Sequence, residues 1–293
     1  MAVSIEPTSI CNLKCPECPT GAGVLNRPRG QMELKQYEVL LGQLGPQLMY
    51  LNLYVQGEPM MHPQFAEMVL LARKQGYYTS CSTNGHFLSS GVAEKLVEAD
   101  MTRLIFSVDG LTQDSYQKYR VGGDLSKVID SIKNVVEAKR RKKRRFPIVV
   151  MQFLVFEHNE HELDGIRQLA KSLDVDKLEL KSAQFNSFAQ GGVKPPVNNS
   201  LNRYVEGQSK VVKGSLRNHC WRQWHSAVIT WNGALSPCCF DKDATHAFGN
   251  VFDTDFQTLN KSEISFDFKD LIINDKKAIA MCLNCTEGRS FLP

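Results

Sequence analysis

Residues 48–85 read LMYLNLYVQGEPMMHPQFAEMVLLARKQGYYTSCSTNG. Two apolar runs of strand length, LMYLNLYV (48–55) and YYTSCST (77–83), flank FAEMVLLARKQG (65–76), whose apolar residues recur near helical spacing. Turn chemistry stops each strand, Gln56-Gly57-Glu58-Pro59 after the first and Asn84-Gly85 after the second. A strand, a helix and a strand at this spacing imply a parallel pair joined by a crossover helix.

The same alternation extends in both directions. Upstream lie VSIEP (3–7), a strand, and MELKQYEVLLGQLG (32–45), a helix. Downstream follow the helix SSGVAEKLVEAD (89–100), the strand RLIFSVD (103–109), the long helix DLSKVIDSIKNVVEAKRRKKRR (124–145) and the strand PIVVMQFLVF (147–156). ELDGIRQLAKSL (162–173) and KLELKSAQF (177–185) complete a sixth helix–strand step. The expected class is α/β, a partial (β/α)6 TIM-like barrel over residues 1–190. Parallel barrels place their chemistry at the carboxyl ends of the strands. The residues of interest fall there: Cys11 to Cys18, Gly57-Glu58-Pro59, Asn84-Gly85, and Ser107 to Gly110.

A boundary is expected near 186–203, where NSFAQGGVKPPVNNSLN is rich in Gly, Pro and Asn and has no apolar period. Residues 191–216 read as a linker or substrate-covering loop, and 217–293 as a small cysteine-rich domain of the kind that relies on a metal staple.

Hydrophobic residues make up 42% of the 293 and charged residues 23%, ordinary for a soluble globular chain. A net charge of +4 suits an acidic substrate but does not by itself argue for nucleic acid. No signal-peptide pattern and no apolar run of about 18 residues are present, so the expected location is the cytoplasm, with no membrane partner. Nine cysteines in such a protein point to metal or redox chemistry rather than disulfides. They divide: Cys11, Cys15 and Cys18 at one end, Cys220, Cys238, Cys239, Cys282 and Cys285 at the other, with Cys81 between, in a strand, as a small buried hydrophobe.

CNLKCPEC (11–18) has C-x3-C-x2-C spacing. Three thiolates bind three irons of a cubane and leave the fourth open, whereas clusters used only for electron transfer normally take four cysteines. A zinc knuckle would need a fourth ligand that the loop lacks, leaving His62 as a candidate from outside it. This spacing after a first strand, with Gly57-Glu58-Pro59 after the second, resembles the radical S-adenosylmethionine (radical SAM) superfamily, over residues 3 to about 185. The resemblance implies that the open iron binds the amino and carboxylate groups of S-adenosylmethionine. An electron, from a low-potential donor such as flavodoxin or ferredoxin, then yields a 5′-deoxyadenosyl radical that abstracts a substrate hydrogen. It further implies cofactor contacts at Gly57, Glu58, Pro59, Asn84, Ser107 and Arg120, each with turn capping as the alternative. Gln56 replaces a more usual glycine, and Glu17 stands where the family often places an aromatic near the adenine. Gln152, polar in an apolar strand, is read either as a cofactor contact or as a structural hydrogen bond.

Downstream the pattern is Cys220-x12-Gly233-x4-Cys238, then Cys282-x2-Cys285. WNGALSPCCFD (231–241) reads as a tight hairpin turning at Asn232-Gly233. It would deliver Cys238 beside Cys220, with the later pair closing a four-thiolate site for a second cubane or a tetrahedral zinc. Cys239 is the substitute if Cys238 fails. The pattern resembles the SPASM and twitch extensions of the same superfamily, which implies one auxiliary [4Fe–4S] cluster. Asp241 falls where related enzymes place acidic groups near substrate, so it is the candidate catalytic base, with a capped turn as the bland reading. KRRKKRR (139–145) fits RNA phosphates or a solvated helix end. His225 and His246 read as satisfied polar residues. The expected reaction is radical hydrogen abstraction giving an oxidised or cross-linked peptide or small-molecule product. The alternatives are RNA modification within the same superfamily, or a non-catalytic zinc or electron-transfer protein.

Overall fold

The computed structural model describes residues 1–45, 47–186, 192–206 and 208–290. Six parallel strands form its framework: β1 (Ala2–Ile5), β2 (Tyr50–Asn52), β3 (Tyr78–Thr83), β4 (Arg103–Ser107), β5 (Ile148–Val155) and β6 (Lys177–Ser182), hydrogen-bonded in chain order. The helices between them are α1 (Pro19–Ala22) and α2 (Leu34–Gln43), α3 (Phe65–Lys74), α4 (Ser90–Glu98), α5 (Gln113–Gln117) and α6 (Leu125–Arg141), and α7 (Leu163–Ser172). All the expected strands and helices are present, shorter by a few residues at their ends. The long helix stops at Arg141, and Lys143 turns out of it with φ 51.

Alternation along each strand divides the sheet into two faces. One row runs Val3, Leu51, Leu104, Phe106, Val149, Met151 and Phe153. It packs with Tyr37, Leu40, Met68, Val69, Leu96, Ile132 and Val135 of the helices in one buried core. Cys81 lies in this row, fully buried. The intervening positions fall on the opposite face and mix polar residues, Ser4, Asn52, Ser80, Ser82, Ser107 and Gln152, with the apolar Ile105 and Val150.

The sheet does not end at β1. The hairpin strands β10 (Ser226–Ile229) and β11 (Leu235–Ser236) extend it to eight strands in the order β11-β10-β1-β2-β3-β4-β5-β6, with β10 parallel to β1 and antiparallel to β11. The turn falls at Asn232-Gly233, where Gly233 has φ 88. The stretch expected as a linker or substrate-covering loop carries structure of its own. Within it lie β7 (Tyr204–Val205) paired with β8 (Gln208–Val212), and β9 (Ser215–Leu216) paired with β12 (Arg289–Ser290). Residues 187–191 of the expected boundary lie outside the described residues. The rest of the C-terminal region is short helices: α8 (Arg222–His225), α9 (Phe256–Asn260), α10 (Glu263–Asp275) and α11 (Ala280–Leu283). The architecture is a partial parallel barrel followed by a small cysteine-rich domain. No helix among the described residues is long and apolar enough to cross a membrane.

Candidate functional site

The loop after β1 carries Cys11, Cys15 and Cys18, and Cys18 is the N-cap of α1, with Pro19 pre-setting its first turn. The loop folds back so tightly that a Cβ at Gly21 would lie 2.5 Å from the Cys15 nitrogen. Gly57 makes a similar approach with φ +74, where a Cβ would fall 2.4 Å from the Thr8 carbonyl, so the end of β2 is held against the entry to the cysteine loop.

The three cysteines share one cavity of about 120 Å³ with Gly57, Glu58, Asn84, Ser107 and Arg120. Four strand ends thus meet there. Donors point at the sulfurs: Leu13 N at 3.5 Å and Asn84 Nδ2 at 3.9 Å from Cys11 Sγ, and Arg120 Nη1 at 3.8 Å from Cys15 Sγ. Cys18 Sγ lies 3.8 Å from Gln56 Oε1, which also accepts from Thr20 Oγ1. Burial pushes the Cys11 thiol up to about 11 and raises Cys15, the Arg120 guanidinium opposing it. These thiols keep their protons unless a cation replaces them, which is the behaviour of ligands that load with metal.

Glu58 is buried, and its carboxylate takes three donors: Met60 N at 3.1 Å, Thr83 Oγ1 at 2.6 Å and Asn84 N at 2.6 Å. Burial raises its pKa against those hydrogen bonds. It therefore binds the ends of β2 and β3 together at the cavity wall. Arg120 donates from Nε to Asp109 Oδ2 at 2.5 Å, and Asp109 Oδ1 accepts Leu154 N. Pro59 begins the buried turn after Glu58, and Gln152 pairs in register with Ser107, yet neither borders the cavity. Glu17 accepts from Asn186 N through its carboxylate.

One buried ion pair was invisible in the sequence. Arg27 donates to both carboxylate oxygens of Glu6, at 2.7 and 2.5 Å. Glu6 also accepts Gln56 N from the end of β2 and Trp231 N from the hairpin turn, while Arg27 Nε donates to the Lys242 carbonyl. The pair ties the cysteine-loop side of the barrel to the C-terminal domain. Glu6 in the first strand and Arg27 in the loop were each legible as charges, but nothing in their spacing joins them.

The second cysteine group is also buried: Cys220, Cys238, Cys282 and Cys285 are each 7–9% exposed. Cys220, Cys282 and Cys285 lie within electrostatic reach of one another, and Cys282 within reach of Cys238. Burial pushes Cys238 up to about 12 and Cys282 to about 11. Glu287 N approaches Cys285 Sγ at 3.3 Å. Cys239 lies within electrostatic reach of Cys238, and also of Tyr54, in the barrel cavity, and of Arg222. Among the described residues no three His, Cys, Asp or Glu side chains gather as a single metal ion requires.

Asp241 is a turn residue: Oδ1 accepts Thr245 N and Thr245 Oγ1, and Oδ2 accepts His246 N, each within 3.0 Å. His62 uses both ring nitrogens, toward the Met32 carbonyl and Gln64 N. His225 stacks on Trp221 and His246 packs on Phe268. Four of the seven residues of the basic run form ion pairs. Lys139 pairs with Asp176, Arg140 with Asp174, Arg141 with Glu94 and Lys142 with Glu98.

A family model described as the radical SAM superfamily matches residues 5–170, and one described as an iron–sulfur cluster-binding domain, SPASM, matches 220–286. The chain is 26% identical over 282 residues to a tungsten-containing aldehyde ferredoxin oxidoreductase cofactor-modifying protein of Pyrococcus furiosus, covering 84% of this chain and 77% of that protein. It is 28% identical to the mycofactocin maturase MftC of Mycobacterium ulcerans over 56% of this chain, and spans 42% of that protein's length. Streptococcus suis SuiB bound to S-adenosylmethionine superposes with a TM-score of 0.72 at 15% identity, covering 99% of this chain and 72% of that one. SuiB bound to the precursor peptide SuiA gives 0.69 at 14% identity, covering 99% and 71%.

Proposed function

Because the chain belongs to the radical SAM superfamily, we propose that it cleaves S-adenosylmethionine reductively and abstracts a hydrogen from a peptide or small-molecule substrate held over the barrel mouth. The product is then an oxidised or cross-linked molecule. Members of the superfamily are enzymes, and the cofactors implied by the two domains are a [4Fe–4S] cluster, S-adenosylmethionine and an auxiliary iron–sulfur cluster. When bound, the first cluster and S-adenosylmethionine supply a 5′-deoxyadenosyl radical.

The observation that carries the proposal is the single cavity shared by Cys11, Cys15 and Cys18 with the ends of β2, β3 and β4. In this reading the three cysteines are the ligands of the first cluster. Gly57 and Glu58 shape the wall against which the cofactor lies, with Pro59 fixing the turn behind them, and Asn84, Ser107 and Arg120 present polar groups to it. Gln152 supports Ser107 from the neighbouring strand. Cys220, Cys238, Cys282 and Cys285 hold the auxiliary cluster, within a C-terminal domain over residues 217–293. Asp241, with both oxygens engaged in its turn, is assigned to holding the Cys238 loop rather than to moving a proton. The names of MftC, a maturase, and of SuiB with its precursor peptide favour a peptide substrate. A flavodoxin or ferredoxin fits as electron donor. The paired basic run gives RNA no comparable support.

Anaerobically purified protein should contain about eight irons per chain, as two cubanes require. Reduced with dithionite and mixed with S-adenosylmethionine, it should release 5′-deoxyadenosine, and Cys15→Ala should abolish that release. Undiminished product from Cys15→Ala would overturn the ligand assignment.

A further inference from the structure

Lys276 lies wholly inside the C-terminal domain, with none of its surface exposed. Its ammonium donates to the carbonyls of His219 at 2.9 Å and Glu287 at 2.7 Å. His219 precedes Cys220, and Glu287 follows Cys285 by two positions. The site is built around the side chain. Asn218 Oδ1 accepts Lys276 N, and Gly288, at φ +67, has no room for a Cβ, which would fall 2.2 Å from the His219 carbonyl and 3.0 Å from Nζ. Among the described residues no carboxylate forms an ion pair with Lys276, and the nearby Glu287 carboxylate is taken by Arg222. Two carbonyls solvate an ammonium but leave its charge uncompensated, and an uncompensated buried charge is costly. The two carbonyls that hold the ammonium belong to the backbone on either side of the thiols, one residue before Cys220 and two after Cys285, so the charge is fixed against the cysteine group.

We propose that Lys276 is the buried counter-charge of the cluster held by Cys220, Cys238, Cys282 and Cys285, and that it raises the reduction potential of that cluster. The inference rests on the four-thiolate reading given above. A thiolate-bound cubane is anionic and gains a further negative charge on reduction, so a fixed cation beside it in a dry site stabilises the reduced form more than the oxidised. The functional consequence is directional. A substrate radical that loses one electron to this cluster, and one proton to solvent, forms its closed-shell product more readily when the acceptor has the higher potential.

The test uses the full chain carrying Cys11→Ala, Cys15→Ala and Cys18→Ala, so that only the second cluster loads, and follows its reduction by electron paramagnetic resonance in a redox titration. In that background Lys276→Met should lower the equilibrium constant for electron uptake about tenfold or more, which for a one-electron couple is about 59 mV towards negative potential. Lys276→Arg, which keeps the charge, should stay near the parent value. A Lys276→Met protein with full iron and an unmoved midpoint overturns the proposal. If Lys276→Met holds no cluster, Lys276→Arg decides: a loaded cluster with the parent midpoint supports the charge, and an empty site refutes it. Should the background itself load zinc, or fewer than about four irons, the four-thiolate reading fails first, whatever stands at 276.

Discussion

At the scale of single residues, the site depends on a few buried groups whose surroundings are fixed by hydrogen bonds. Arg120 is the clearest case, since it neutralises the fully buried Asp109 and also faces Cys15 Sγ. Removing its charge leaves Asp109 unpaired inside the barrel, so Arg120→Met should cost about 3–5 kcal/mol of stability, measured by urea unfolding of the iron-free protein, while also weakening S-adenosylmethionine binding. A loss below about 1 kcal/mol, the range of an exposed pair, would show that Asp109 is solvated. Cys11 gives a second prediction. Burial raises its thiol from 9.0 to about 11, and a thiol is the protonated form, so the reactive thiolate appears only as pH climbs towards that value. At pH 8 the iron-free protein should alkylate at Cys11 roughly a hundredfold more slowly than an unperturbed thiol, with the rate inflecting near 11. Mass-spectrometric mapping after iodoacetamide treatment checks this, and an inflection near 9 would contradict it. Cys11, Cys15 and Cys18 were legible from motif spacing and Glu58 from its place at a strand end, whereas Arg120 entered only through the family resemblance. The bonds that Glu58 accepts from Thr83 and Asn84 were not, because they join the end of β2 to the end of β3 across 25 and 26 residues of chain.

At the scale of elements, the period of the apolar residues predicted all six barrel strands and the helices that pack on them. Ends were less legible, because the last turn of a helix or strand answers to local caps and neighbours rather than to the period. What the pattern could not reveal was the contact between elements far apart in sequence. The Glu6–Arg27 pair joins β1, the cysteine loop, the end of β2 and the hairpin turn at Trp231. Glu6→Gln should therefore destabilise the protein by about 3–5 kcal/mol, because Arg27 is left buried without its partner. The double variant Glu6→Gln, Arg27→Met should recover part of that loss. Guanidinium melts of the parent, Glu6→Gln, Arg27→Met and the double variant measure the coupling, and strictly additive losses would mean that the two side chains do not act as a pair.

At the scale of the whole molecule, the protein is less divided than its sequence suggests. A linker or substrate-covering loop was expected over residues 191–216. Beyond it β10 and β11 continue the barrel sheet past β1, and β9 and β12 bring the two ends of the C-terminal region together. An unpaired parallel edge at β1 is a template for association. A chain ending at residue 216 should consequently lose soluble monomer, running as aggregate in size-exclusion chromatography where the full chain does not. A monomeric, folded truncation would show that the barrel closes its own edge.

The sequence by itself determined the parallel α/β class, both cysteine groups and the family, because apolar periodicity and ligand spacing are local and survive as patterns along the chain. Only the tertiary structure decided that the hairpin joins the barrel sheet, that Glu6 and Arg27 meet in its interior, that four residues of the basic helix end form ion pairs, and that Lys276 lies buried with no carboxylate in ion-pair range among the described residues. Each of those depends on which distant groups share a low-dielectric interior, and burial there sets the energy of a charge far more than its place in the chain does.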